Sequence, residues 1–97
     1  MKPSEALRRH RDRVRAAIAR SPFRNPRVFG SVARGEDSLQ SDLDILVDPE
    51  EHASLYDLAQ LERELESILG CKVDVLTPDS LADDVAARAH RDLTPIP

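Results

Sequence analysis

The sequence predicts an α/β (α+β) fold in which a small mixed β-sheet is covered by helices. Short apolar runs typical of strands alternate with longer segments whose apolar residues repeat at helical spacing. The chain has only 97 residues, and aromatic residues make up 3% of it. A chain of this length can build one sheet with a few covering helices, and its core must be aliphatic. We therefore expect residues 1–97 to form a single domain.

The first third of the sequence predicts a helix and then a strand. Ser4 is a suitable N-cap for a helix that runs to about Arg20, because apolar residues recur on one face of that segment. Residues 22–26 begin and end with proline and are expected to form a loop. Residues 27–29 then form a short strand. The apolar face of the helix consists of Leu7, Val14 and Ile18.

The middle of the chain predicts a strand and a well-capped helix. Residues 43–47 alternate between the two faces of a strand that Pro49 ends. Ser54 caps the next helix, with Asp57 at its third position in a capping-box-like arrangement. The helix then continues to a glycine stop at Gly70. Its apolar stripe consists of Leu58, Leu61, Leu65 and Ile68.

The last quarter predicts one more strand and one more helix. Residues 72–76 form the strand, and Pro78 opens a helical stretch that runs to about His90. Residues 94–97 contain two prolines and are expected to lie along the surface.

Charge is distributed unevenly along the chain. Residues 1–35 hold ten Lys and Arg against two acidic residues, and the rest of the chain holds four basic against sixteen acidic residues. This asymmetry favours a basic face for phosphate, nucleic acid or an acidic partner, although a solvated arginine-rich helix explains it equally well.

Cys71 is the single cysteine, so no internal disulfide forms. No apolar run is long enough for a membrane span, and we expect a cytoplasmic protein.

Three aspartates lie in or beside the predicted strands. Asp42 and Asp44 occupy positions i and i+2, so they lie on one strand face opposite Leu43, Ile45 and Val47. Two adjacent carboxylates repel each other and either shift a pKa or hold cations. Oxygen ligands favour Mg²⁺, or Mn²⁺, over Zn²⁺.

Asp74 faces away from its apolar neighbours in the next strand and fits as a third ligand. Two metal ions held by these carboxylates would suit a phosphoryl displacement. A solitary Asp-x-Asp is more often just a strand end that meets water.

A glycine turn comes directly after the first predicted strand. Gly30 allows close approach of the backbone to a ligand, and Ser31 can offer its amide and hydroxyl to a phosphate. Arg34, one turn further on, can neutralise another phosphate oxygen. A Gly-Ser pair alone is commonplace, but its combination with three strand carboxylates is hard to explain by architecture.

These motifs resemble a known group of enzymes. GSVARGE at 30–36, SDLDILV at 41–47 and VDVL at 73–76 look like the core motifs of the DNA polymerase beta-like nucleotidyltransferase superfamily. The resemblance covers residues 27–76. More narrowly, the chain resembles the minimal nucleotidyltransferase (MNT) antitoxins that pair with HEPN ribonuclease toxins.

The resemblance implies a fold, a reaction and a role for each matching residue. The fold is the nucleotidyltransferase fold. Gly30 and Ser31 would hold the phosphates of ATP, Asp42 and Asp44 would bind both Mg²⁺ ions, and Asp74 would bind the catalytic ion and help deprotonate the attacking hydroxyl.

AMP would pass to a tyrosine of the HEPN toxin, with pyrophosphate leaving. Because superfamily members that modify other acceptors usually carry further domains, we expect a second chain to supply the acceptor. A binding-only antitoxin, or an enzyme that acts on a small molecule or an RNA end, remains open as an alternative.

The remaining polar and aromatic residues are expected to have ordinary roles. His10, His52 and His90 are interpreted as surface or boundary residues, and Tyr56 as a packing residue. The cluster of arginines from residue 8 to residue 15 could bind RNA or an acidic surface of the partner, but direct nucleic-acid binding is not the favoured interpretation. A solvated helix face is expected for Glu62, Glu64 and Glu66.

Overall fold

A mixed four-stranded sheet forms the centre of the molecule. The computed structural model describes residues 1–80 and 93–96. Of the helical stretch predicted from Pro78 to about His90, only Pro78–Ser80 is described, and it forms a 3₁₀ turn; the rest lies outside the described residues. The strand order is β3-β2-β1-β4; β1 pairs antiparallel with β2 and β4, while β2 and β3 are parallel. The predicted fold class is confirmed. The strands are β1 (Phe23–Phe29), β2 (Leu43–Pro49), β3 (Val73–Leu76) and β4 (Thr94–Pro95).

Four helices accompany the sheet in the described part of the chain. A 3₁₀ turn at Pro78–Ser80 follows β3. Among the described residues, no helix combines the length and the apolar character needed to cross a membrane. The helices are α1 (Pro3–Arg9), α2 (Arg11–Ala19), α3 (Ser31–Arg34) and α4 (Leu55–Leu69).

The predicted single helix from Ser4 to about Arg20 is wrong, because the chain breaks at His10. His10 leaves the helical region at φ −113° and ψ 21° and separates α1 from α2. Neither glycine nor proline marks the break, so the sequence does not signal it. Ser4 is not the N-cap either: α1 begins at Pro3, and Lys2 precedes it without a capping side chain. The amide of Ser4 instead donates to Asp37 Oδ2 at 2.9 Å, from 33 residues away.

The first strand begins earlier than predicted. Residues 22–26 were expected to form a loop, but β1 starts at Phe23 and contains an irregularity between Arg24 and Arg27. Asn25 makes this possible by adopting a positive φ of 56°, which asparagine tolerates better than most residues. Its side chain and that of Arg27 both donate to Asp48, at 2.9 and 2.6 Å. These bonds hold the pKa of Asp48 below its usual value, although partial burial opposes them.

Thr94 and Pro95 of the tail are exposed, as expected, but the segment is part of the sheet and Ile96 is buried. Thr94 and Pro95 pair with Val28 and Arg27 at the edge of β1. Ile96 follows them into the core, where its side chain is 8% exposed. Burial of this apolar side chain explains why the segment is held against the sheet.

One face of the sheet packs against the helices and forms an aliphatic core. The residues that β2 and β3 contribute to it are between 0 and 1% exposed, which confirms the alternation expected for these two strands. The opposite face carries a smaller apolar cluster around Phe29 and Leu46, together with the acidic side chains. On the core face, the residues from β2 and β3 are Leu43, Ile45, Val47, Val73 and Val75, and β1 adds Phe23 and Val28.

Helix α4 begins and ends as its sequence predicts. Ser54 Oγ accepts from the amide of Asp57 at 3.1 Å, and Asp57 Oδ2 accepts from the amide of Ser54 at 3.0 Å. Gly70 ends the helix in the left-handed conformation, with φ 70°. These signals lie within the segment itself, so tertiary contacts are not needed to predict them.

Two glutamates of α4 cover the edge of β3. Glu62 Oε2 accepts from the amide of Val75 at 2.8 Å, and Glu66 Oε2 accepts from the amide of Val73 at 3.1 Å. The predicted solvated face is therefore wrong for these two residues. Only Glu64 faces outward, where it pairs with Arg20 at 2.5 Å. The glutamates supply acceptors that an edge strand otherwise lacks.

Removing the edge acceptors should destabilise the fold selectively. We expect Glu62→Ala and Glu66→Ala each to lower the free energy of unfolding by about 1 kcal/mol, because each leaves a strand amide without its acceptor. Glu64→Ala should cost less than about 0.5 kcal/mol, since it removes an exposed ion pair. Urea unfolding at pH 7 measures all three variants. Equal losses at the three positions would contradict the role of the edge contacts.

Candidate active site

The candidate site lies where the end of β1 meets the starts of β2 and β3. Phe29 pairs with Asp44 across β1 and β2, and Asp44 pairs with Asp74 across β2 and β3. Directly paired residues share one face of a sheet, so these three residues form a row on the face opposite the core. The structure thus brings Asp44 and Asp74 together, as the sequence predicted.

Gly30 follows directly on this row and turns the chain into α3. It adopts φ 77° and ψ −154°, a region open to glycine almost alone. A Cβ atom built on Gly30 would lie 2.7 Å from Asp44 Oδ2. The backbone conformation therefore requires glycine here, and a side chain would also force the Asp44 carboxylate to move. Ser31, the first residue of α3, is placed beside the carboxylates as a consequence.

Asp44 is the carboxylate most affected by the site. Its side chain is partly buried, and burial together with the charges of Asp74 and Asp42 raises its pKa to about 6. The ammonium of Lys72 opposes this shift. A carboxylate that is costly to ionise alone gains stability from any cation placed beside it.

Asp42 lies one residue before β2, on the solvent side of the site. Its Oδ2 atom is 3.9 Å from Lys72 Nζ, and both side chains are substantially exposed. Such a contact contributes little to stability in water. Asp42 therefore remains accessible to a ligand.

The donor set suits a hard divalent cation. Three carboxylates repel one another and supply only oxygen donors, which Mg²⁺ and Mn²⁺ prefer. Among residues 1–80 and 93–96, however, no three His, Cys, Asp or Glu side chains are arranged around a common point. Asp42, Asp44 and Asp74 would have to adjust their side chains around an ion.

Arg34 lies at the end of α3, one turn beyond Ser31. Its Nε donates to Glu36 Oε2 at 3.1 Å on an exposed part of the surface. The guanidinium is thus near the glycine turn, but in this structure it contacts Glu36.

Asp37 is a buried carboxylate that the sequence did not single out. It lies in the loop between α3 and β2 and is 7% exposed. Burial favours its neutral form, but hydrogen bonds from Ser4 and the charge of Lys2 outweigh burial, and the pKa of Asp37 is lowered. The carboxylate receives the Ser4 amide at the start of α1, where the helix dipole also favours a negative charge. No local pattern marks this contact, because its partners are far apart in sequence.

The other residues considered from the sequence lie away from the carboxylates or in ordinary positions. Tyr56 is 69% exposed, so the expectation that it packs is wrong. His52 is exposed and His10 lies at the helix break, while His90 lies outside the described residues. Cys71 packs beside the core, and burial, with the charges of Asp42 and Glu66, raises the pKa of its thiol.

Comparison with known proteins identifies the family. The nucleotidyltransferase domain family matches residues 24–94. The chain belongs to this family. A protein adenylyltransferase named MntA from Thermococcus cleftensis is 46% identical over 66 residues, which cover 68% of this nucleotidyltransferase and 67% of that relative.

Solved structures agree with the family assignment. A candidate minimal nucleotidyltransferase has a TM-score of 0.83 and 42% identity, covering 95% of this nucleotidyltransferase and 94% of that chain. A complex of a tri-AMPylated HEPN toxin with an MNT antitoxin from Shewanella oneidensis contains the same fold. Its matching chain has a TM-score of 0.65 at 17% identity, covering 97% of this nucleotidyltransferase and 71% of that chain. The resemblance to minimal nucleotidyltransferases is confirmed.

Asp44 should make the stability of the metal-free protein depend on pH. The folded-state pKa of about 6 exceeds the ordinary value of 3.8, so the folded protein holds the proton more tightly. The protonated carboxyl contributes fully to the free energy of unfolding below about pH 4. This contribution is lost as the pH rises through 6. We expect Asp44→Asn to remove this loss and to melt above the wild type at pH 7.5, when both are free of metal. Thermal melts from pH 4 to 7.5, with and without Mg²⁺, measure the difference.

Magnesium should raise the melting temperature of the wild type at pH 7.5 and leave that of Asp44→Asn nearly unchanged. An identical response of the two proteins to Mg²⁺ would argue against Asp44 as a ligand.

Substitution of Gly30 should cost more than substitution of another glycine with positive φ. Gly35 has φ 72° and no atom within 4 Å of a Cβ built on it, so Gly35→Ala meets only backbone strain of about 1–2 kcal/mol. Gly30→Ala should lose about 1–3 kcal/mol more, because its ψ of −154° lies outside the left-handed region that Gly35 occupies and its methyl group also meets Asp44. Urea unfolding compares the two variants. Similar losses would mean that the turn can move away from the carboxylate.

Proposed function

We propose that this nucleotidyltransferase transfers AMP from ATP to a tyrosine of a HEPN ribonuclease toxin and thereby acts as an antitoxin. The observation that carries the proposal is the row formed by Asp44 and Asp74 beside the Gly30 turn. Family membership and the similarity to a protein adenylyltransferase support the reaction class.

Each residue of the proposed site has a role in this reaction. Gly30 and Ser31 hold the phosphates, and Arg34 neutralises a further phosphate oxygen after leaving Glu36. Asp42 and Asp44 would hold the Mg²⁺ ions, with Asp74 as a further ligand of the catalytic ion. Bound Mg²⁺ supplies charge stabilisation for the attacking and leaving oxygens.

The bonds that form and break follow from this arrangement. The acceptor hydroxyl oxygen forms a bond with the α-phosphorus of ATP as its proton leaves toward Asp74. The bond between the α-phosphorus and the oxygen that bridges to the β-phosphate breaks, and pyrophosphate departs with the electron pair. A nucleotide ester of the acceptor remains.

The names of similar proteins favour a protein as the acceptor of AMP. The relative from Thermococcus cleftensis carries the name protein adenylyltransferase, and a fold neighbour is an MNT antitoxin bound to an AMPylated HEPN toxin. We propose that this nucleotidyltransferase forms a hetero-oligomer with such a toxin in the cytoplasm, where ATP is abundant. Modification of the tyrosine would silence the ribonuclease.

Transfer of labelled AMP tests the proposal directly. The protein is incubated with α-labelled ATP, Mg²⁺ and the HEPN-type protein encoded beside it. We expect label on the HEPN protein, and a loss of about 100-fold or more with Asp42→Asn plus Asp44→Asn, because metal-held charge stabilisation is worth several kcal/mol. Glu51→Gln, an exposed acidic control on the loop after β2, should leave transfer unchanged.

Three results would contradict the proposal. The first is absence of label from the wild type. The second is undiminished protection of cells by Asp42→Asn plus Asp44→Asn, which would favour a binding-only antitoxin. The third is transfer to RNA or a small molecule without the partner protein, which would favour a different acceptor.

A further inference from the structure

A groove of about 280 Å³ opens on the surface between α1, α3 and β4. It is separate from the carboxylate row, but one of its walls is α3, the helix that follows the Gly30 turn. Its walls combine arginines at the rim with apolar residues at the base. The lining residues used below are Leu7, Arg8, Arg11, Val32, Ala33 and Pro95.

The rim of the groove is positively charged. Arg8 lies in the last turn of α1 and Arg11 begins α2, on either side of the helix break at His10, and both side chains line the groove. Arg11 Nε lies 3.8 Å from Asp12 Oδ1, but both side chains are exposed, and such pairs are weak. Repulsion between Arg11 and Arg15, at i and i+4 of α2, costs a few tenths of a kcal/mol. An acidic ligand would relieve that repulsion.

The base of the groove is apolar. Leu7 is buried beneath it, and Val32 and Ala33 are partly buried where they pack on the core. Pro95 closes one end from β4. An apolar base calls for apolar side chains from the ligand, which a polypeptide supplies and a phosphate backbone does not. None of the described lining residues is aromatic, so the groove offers no platform on which nucleic-acid bases can stack.

The groove borders the candidate site through α3. Val32 and Ala33 follow Ser31 directly, and Ser31 belongs to the proposed nucleotide turn. A segment bound in the groove therefore lies against the same short helix that begins at the ATP phosphates. Arginine is also the residue type best suited to carboxylates, because its planar fork binds both oxygens.

We propose that this groove binds an acidic segment of the partner protein, with Asp or Glu side chains on Arg8 and Arg11 and apolar side chains against Leu7, Val32 and Ala33. The proposal rests on the proposed function, since the occupant is a segment of the protein that receives AMP. Docking there holds the acceptor protein beside the nucleotide turn.

Paired arginine variants test the groove. The variant Arg8→Ala plus Arg11→Ala is compared with the control Arg9→Ala plus Arg13→Ala. The control removes the same charge from exposed positions of α1 and α2 that do not line the groove. Calorimetric titration with the purified HEPN-type protein, without ATP, gives the dissociation constant of each. We expect the first pair to weaken binding by roughly 30-fold, as for interface arginines that act as hot spots, and the second by less than about threefold.

Salt dependence and a charge swap provide a second readout. Arg8→Glu plus Arg11→Glu should abolish binding, and exchanging acidic residues of the partner's segment for lysine should restore it. Equal weakening by the two alanine pairs would overturn the proposal, because it would indicate long-range charge alone. Binding of an RNA hairpin that depends on Arg8 and Arg11, with protein binding unaffected, would also overturn it.

The two proposals can fail separately. The titration is made without nucleotide, so it does not depend on the carboxylates. Intact binding by Asp42→Asn plus Asp44→Asn, together with absence of AMP transfer by the wild type, would remove the proposed reaction and leave the docking groove. Normal transfer by Arg8→Ala plus Arg11→Ala at unchanged affinity would remove the groove and leave the reaction.

Discussion

Asp44 on β2 and Asp74 on β3 stand opposite each other because the two strands pair in parallel at one register. Like charges placed directly across two strands weaken the pairing. The opposite face of the same strands compensates, because Ile45 and Val75 are also paired and are almost fully buried. A slip of one residue would exchange the two faces and expose the core. Aliphatic burial thus fixes a carboxylate pair that would not assemble by itself.

The mixed topology of the sheet brings the parts of the candidate site together. Because β1 runs antiparallel to β2, its end meets the start of β2; because β3 is parallel to β2, its start lies there as well. A turn leaving β1 therefore arrives beside both acidic strands. Gly30 completes the arrangement, since any side chain at that position would meet Asp44.

Much of this architecture can be predicted from local sequence. Helix α4 carries its own start and stop signals in Ser54, Asp57 and Gly70, and the alternation around Asp44 and Asp74 identifies two strands and their polar face. The two carboxylates could be placed together because each occupies the polar face of a strand with a buried apolar partner face.

The features that escaped prediction depend on partners distant in sequence. Asp37 receives the amide at the start of α1, and Glu62 and Glu66 receive amides from β3. In the sequence Asp37 lies in a polar loop, and Glu62 and Glu66 lie between the apolar positions of an amphipathic helix. Solvated residues show the same patterns. The break at His10 and the burial of Ile96 similarly arise from how the segments pack on the core, not from a turn-forming residue.

The covered edge of β3 limits how this protein can associate. The amides of Val73 and Val75 are already bonded to Glu66 and Glu62, so a strand from another molecule finds no donors there. At the other edge β4 is two residues long and ends in Pro95, which lacks an amide hydrogen. Extension of the sheet by a strand of another molecule, which is how strand-swapped dimers and fibrils grow, is therefore disfavoured at these two edges.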